Sequence, residues 1–119
     1  VAKKILKWHD SLGVKTTGLY LAQLVRMQEE IGTGGGGFRY IYAAFLQQAH
    51  AYIKNDSIIK ISEQFTKAGD MWRDSAIQSA GIFKGRLTDR ADFVNMHDRL
   101  MQIAEVEKDA FTKLSKIKL

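Results

Sequence analysis

A chain of 119 residues suits one domain, and its 45% hydrophobic and 10% aromatic content can bury one sizeable core without staples. The absence of cysteine excludes disulfides, thiolate metal sites and a cysteine nucleophile within the chain. The net charge of +5, from 18 Lys+Arg against 13 Asp+Glu, is a moderate excess that favours an acidic partner, and no apolar run reaches the roughly 20 residues of a membrane span.

The start, VAKKILKWHD, is amphipathic and charged, unlike a signal peptide, and a cysteine-free chain is compatible with the cytoplasm as its location. It lacks an initiator Met and reads as the inside of a helix, which points to a segment of something longer. Proline is absent and the apolar spacing is helical almost throughout. The prediction is all-α: an antiparallel bundle of about five helices, the last two long. A first helix from about Ala2 to Leu12 sets Ile5, Trp8 and Leu12 on one face and stops at Gly13. Thr16 or Thr17 is placed to cap the second, which runs to about Ile31 and ends at Gly32. It buries Leu21, Leu24, Val25 and Ile31 and leaves Arg26, Glu29 and Glu30 for water.

A third helix starts near Phe38, after a glycine run. Phe38, Ile41, Phe45, Ala49 and Tyr52 recur in it at the spacing of a buried stripe. Asn55, Asp56 and Ser57 form a turn with a ready N-cap for the fourth helix. There Ile58, Ile61, Phe65, Ala68, Trp72 and Ala76 make the cleanest stripe, and the helix fades through Gly81 and Gly85. Gly69 within it costs about 1 kcal/mol against alanine, so close helix packing is the expected reason for it. Thr88 or Asp89 caps the last helix, where Phe93, Met96, Leu100, Ile103, Ala110, Leu114 and Ile117 follow a heptad interrupted by Glu107. That carboxylate either pairs with a buried arginine, serves a site, or is exposed by drift of the stripe onto Ala104 and Val106; exposure is the expectation. A helix of roughly 28 residues spans roughly 42 Å and must bury its stripe against neighbours.

The unusual segment is IGTGGGGFRY, Ile31 to Tyr40. Gly32, Gly34 and Gly37 fit GxGxxG, but a helix precedes them where a dinucleotide fingerprint needs a strand, and no Gly-Lys-Ser/Thr follows. Residues without Cβ let backbone N–H groups approach a ligand, the next helix offers its positive end, and Arg39 adds a charge. The candidate contact residues are therefore Gly32, Thr33, Gly34, Gly35, Gly36, Gly37, Phe38 and Arg39. Two main readings stay open. The segment packs closely against another domain, or it holds the phosphate or carboxylate of a small molecule in a stand-alone binding module.

Catalytic constellations are lacking. His9, His50 and His97 lie in no HExxH or Glu-x-x-His pattern, so no metal or other cofactor is expected. His9 with Asp10, and His97 with Asp98, are expected to point to different helix faces. Asp70 and Asp74, near Arg73, read as a charged face. Phe45, Phe65, Trp72 and Phe93 lie on apolar stripes and are not interleaved with arginines, which argues against nucleic acid as a partner.

The segment EEIGTGGGGFRYIYAAFLQQA, Glu29 to Ala49, resembles the C-terminal helical domain of unknown function found in relatives of butirosin biosynthesis protein H. The resemblance rests on Ile31 to Gly35, on Phe38 and Arg39, and on Tyr42, Ala43, Phe45 and Leu46. Gly69, Met71, Trp72 and Ala76, then Glu105, Glu107 and Phe111, resemble its later helices. The resemblance implies a two-part, papain-like acyltransferase or amide-bond enzyme whose N-terminal domain carries a cysteine and a histidine. This chain would be its non-catalytic accessory part, with the glycine loop facing the catalytic domain of the same polypeptide or its acyl substrate. An acidic acyl carrier protein is the further partner implied, met by the basic ends at Lys3, Lys4 and Lys7 and at Lys113, Lys116 and Lys118.

Overall fold

The computed structural model describes residues 2–11, 14–29, 36–85 and 89–117. They form five helices: α1 (Ala2–Ser11), α2 (Val14–Glu29), α3 (Phe38–Ile53), α4 (Asp56–Phe83) and α5 (Arg90–Ser115). The bundle is all-α, as the spacing predicts, and no described residue lies in a strand. No described helix is long and apolar enough to cross a membrane.

α4 is the spine. Its Ile58, Ile61, Phe65 and Ala68 are almost wholly buried, because their spacing keeps them on one face over several turns. Buried small residues, Ser62, Ser75, Ala76 and Ser79, let the neighbouring helices close on the same face. Their hydroxyls stay bonded where a partner is near: Ser62 Oγ donates to the Ala43 carbonyl at 3.0 Å, and Ser79 Oγ to the Ser75 carbonyl at 2.9 Å.

Both α2 and α3 run antiparallel to this spine, one after the other. Glu29 at the end of α2 meets Arg73, Tyr40 at the start of α3 meets Asp70, and His50 near its end meets Asp56. α5 returns along α4, and α1 lies against α5. Two apolar cores result. Ile5, Leu21, Ile82, Phe93, Met96, Leu100 and Ile103 form one, and Ala43, Leu46, Ile58, Ile61, Phe65 and Ala110 the other. The molecule is accordingly elongated, 52 × 23 × 17 Å.

Caps follow the sequence at three of the helix ends. Asn55 Oδ1 accepts from the Ser57 amide at 3.0 Å at the start of α4. Asp89 opens α5, and its amide donates to the Asp92 carboxylate at 3.1 Å in a capping box. α4 ends before Gly85, whose φ of +77° suits a residue without Cβ. The expectation for α2 is corrected: the helix begins at Val14, so Thr16 and Thr17 lie inside it. Thr17 is buried and donates to the Trp8 carbonyl at 3.2 Å, tying α2 to α1. Leu12, Gly13, Ile31 and Thr88 lie outside the described residues.

The largest correction concerns α3. The stripe expected to be buried faces outward: Ile41 is 68% exposed, Phe45 57% and Tyr52 88%, with Phe38 also exposed and Ala49 half-buried. Ala43 and Leu46, on the opposite side, enter the core. The side of α3 that meets α4 is the one carrying Ala43 and Leu46, where the small residues Ser62 and Gly69 of α4 allow close approach, and this leaves the Ile41–Phe45–Tyr52 stripe on the opposite side.

Candidate functional site

Of the candidate residues, Gly32, Thr33, Gly34 and Gly35 lie outside the described residues, while Gly36, Gly37, Phe38 and Arg39 are described. The turn closes on itself. The Arg39 amide donates to the Gly36 carbonyl and the Tyr40 amide to the Gly37 carbonyl, both at 3.1 Å. An anion seated at this helix start would compete with these bonds for two of the first-turn amides. Phe38 projects into solvent, half-exposed, and stacks against Tyr42 with ring centres 6.3 Å apart.

Arg39 reaches from α3 to α5. Its Nε donates to Glu107 Oε1 at 2.6 Å and an Nη to Oε2 at 3.3 Å, a two-pronged contact from α3 to α5. Trp72 of α4 donates its indole Nε1–H to the same Oε1 at 2.8 Å, and the Arg39 guanidinium lies 5.2 Å from the Trp72 ring centre. The side chains of Arg39 and Glu107 are 21% and 17% exposed, so the pair is partly dry. The expected exposure of Glu107 is thereby corrected. It interrupts the heptad because an arginine from another helix reaches over the seam and an indole donor lies beneath it.

A second polar node sits one residue on. The Tyr40 hydroxyl donates to Asp70 at 2.6 Å, Arg73 lies 5.8 Å from the Tyr40 ring centre, and Arg73 approaches Glu29 at 4.0 Å. Partial burial, then the bond to Asp70 and its negative charge, push the Tyr40 phenol up to about 12. Gly69 is the floor of this node: a Cβ there would stand 2.8 Å from the Tyr40 ring. The expected packing role of Gly69 is met, and Asp70 does more than decorate a charged face.

Together the nodes anchor the helix that follows the glycine segment and reach the end of the one that precedes it. Glu29 precedes it and Arg39 and Tyr40 follow it, and all three are held by α4 or α5 within one stretch of the spine, Gly69 to Arg73. Sequence reasoning missed this convergence; the Arg-Tyr pair beside an in-helix glycine and a heptad-breaking Glu was the available signal.

The basic ends are separate. Lys3, Lys4 and Lys7 belong to α1, at the end of the molecule built by the first core, and Lys113 and Lys116 to the end of α5, beside the second. Lys113 bridges Asp109 at 2.9 Å, and that contact, with a bond from Gln64, holds the Asp109 carboxyl below its ordinary value. Lys60, Lys113 and Lys116 rim an open cavity of about 510 Å³ floored by Ile61 and Ile117. His97 Nδ1 lies 3.0 Å from Asp98 Oδ1, which corrects the expectation that the two point apart. Asp10 is 3.4 Å from Arg90. Among the described residues no group of three or more His, Asp or Glu is placed to hold a metal ion.

No curated protein and no solved structure matches the chain. The sequence profile of the family described as Domain of unknown function (DUF4872) matches residues 1–114, nearly the whole length, and the chain belongs to that family.

Proposed function

We propose that this chain is a non-catalytic accessory domain of a papain-type acyltransferase or amide-bond enzyme resembling butirosin biosynthesis protein H, and that its glycine segment faces the catalytic domain or its acyl substrate. The support comes from the likeness of Glu29 to Ala49 to such proteins and from the setting of that segment. The stem that follows this glycine-rich stretch is held by the Arg39–Glu107–Trp72 and Tyr40–Asp70 nodes, the preceding stem reaches Arg73 through Glu29, and Phe38 is exposed at the start of α3. Anchored flanks lower the entropy lost when such a stretch is covered. The closed turn at Gly36–Tyr40 and the commitment of Arg39 to Glu107 favour contact with a protein surface over capture of a free anion. A carrier protein, if acidic, would meet Lys113 and Lys116 at the far end.

The test is acyl transfer by the intact polypeptide. Phe38→Ala is expected to reduce transfer at least about ten-fold while leaving the helical circular-dichroism signal unchanged, since the ring is half outside the core. Wild-type transfer in that variant, or the absence of a cysteine- and histidine-bearing domain encoded ahead of Val1, would contradict the proposal. Charge reversal at Lys113 and Lys116 is expected to weaken carrier binding in a salt-dependent manner. Binding that ignores both salt and reversal removes the carrier from the account.

A further inference from the structure

We infer that the outer face of α3 is a self-association surface, on which two copies of the chain pair across a two-fold axis with their α3 helices antiparallel. This goes beyond the accessory role and uses a different part of α3 from the glycine stem.

Ile41, Ala44, Phe45, Gln48 and Tyr52 stand at the i, i+3, i+4, i+7, i+11 spacing of a helix–helix contact strip, and every one is exposed. The strip lies opposite Ala43 and Leu46, the residues that seat α3 on α4. A helix packed on one side only, with its larger apolar side chains on the other, is incomplete as a monomer.

Charge selects the occupant. The chain carries +5, so two copies repel at most orientations. From Phe38 to Ile53 the formally charged side chain is Arg39, which turns to Glu107 on the core side. The outer strip is neutral and lets like-charged copies meet there without opposing charges.

Shape and extent agree. Ala44 is a hole beside the knobs Ile41, Phe45 and Tyr52, which permits interaxial distances of about 8–10 Å. A two-fold axis near Gln48 brings its amide against its own copy, where donor and acceptor complement each other. With Ile53 and Phe111 at the margin, the exposed apolar side chains offer on the order of 600 Å² per copy for burial, approaching the roughly 800 Å² per partner of a standard interface and at the upper end of what monomers usually expose.

Sedimentation equilibrium of the chain over a hundred-fold concentration range tests the pairing. The expected species is a dimer of twice 13.5 kDa, with Phe45→Glu and Ile41→Lys weakening association at least about ten-fold at unchanged helical content. Ile77→Lys, at an exposed position on α4, is expected to leave it intact. Because the chain has no cysteine, Gln48→Cys supplies a second readout: oxidation should link copies rapidly, whereas Ile77→Cys should not. A monomer at all concentrations, masses growing past the dimer, or a dimer insensitive to Ile41 and Phe45 with no Gln48→Cys cross-link would each overturn the pairing. A monomer whose α3 strip is instead covered in the intact polypeptide would assign the face to the neighbouring domain.

Discussion

Arg39 and Tyr40 are adjacent in sequence and leave α3 in different directions, one to α5 and the other to α4. Glu107 is the acceptor shared by Arg39 and Trp72, so Glu107→Ala removes one carboxylate and two charge-assisted contacts at once. The expected loss is roughly 2–3 kcal/mol in urea unfolding, since both charged side chains are largely withdrawn from water. A loss under about 0.5 kcal/mol would mean the node is a surface pair. Tyr40 adds a pH signature. Its folded pKa, about 12, lies above the ordinary 10.0, so the protonated phenol is favoured by the fold. The stability it contributes is complete below pH 10 and lost as pH rises through 12. Absorbance titration should show a phenolate component centred near pH 12 that vanishes in Tyr40→Phe and moves down in Asp70→Asn.

Helices α4 and α5 were legible in the sequence because long stripes, an Asn cap and an acidic capping box agree with one another. α3 was legible as a helix but not in its orientation. Periodicity shows that an apolar face exists; it carries no information on whether that face meets the core or a partner. Paired truncations check the assignment at concentrations where the chain is monomeric. Phe65→Ala, in the core, should cost about 3–5 kcal/mol, and Phe45→Ala, on the outer strip, about 0.5 kcal/mol or less. Equal costs would place Phe45 inside. The α3–α4 contact itself depends on Gly69. Gly69→Ala gains about 1 kcal/mol of helix propensity but drives a methyl into a ring already tethered to Asp70, so a net loss of roughly 1–2 kcal/mol is expected. In a Tyr40→Ala background the same change should stabilise, and a double-mutant cycle reads the reversal. The pairing of Glu107 with an arginine was legible only as one alternative, because a contact between residues 68 apart in the chain leaves no local pattern to name Arg39.

At the scale of the whole molecule, α4 carries two cores along an extended body, and Glu29 and Tyr40, the residues flanking the glycine segment, meet that spine at Arg73 and Asp70. The distinctive features of the molecule are a glycine-rich stretch between α2 and α3, flanked by anchored helix residues, and an exposed apolar face on α3. The roles proposed for both require that another surface cover them. Hydrogen–deuterium exchange, comparing the isolated chain with the intact polypeptide, tests this most directly. The account predicts slower exchange at amides 32–38 in the intact polypeptide, with the amides of α1 unchanged. Equal exchange at 32–38 in both would contradict it.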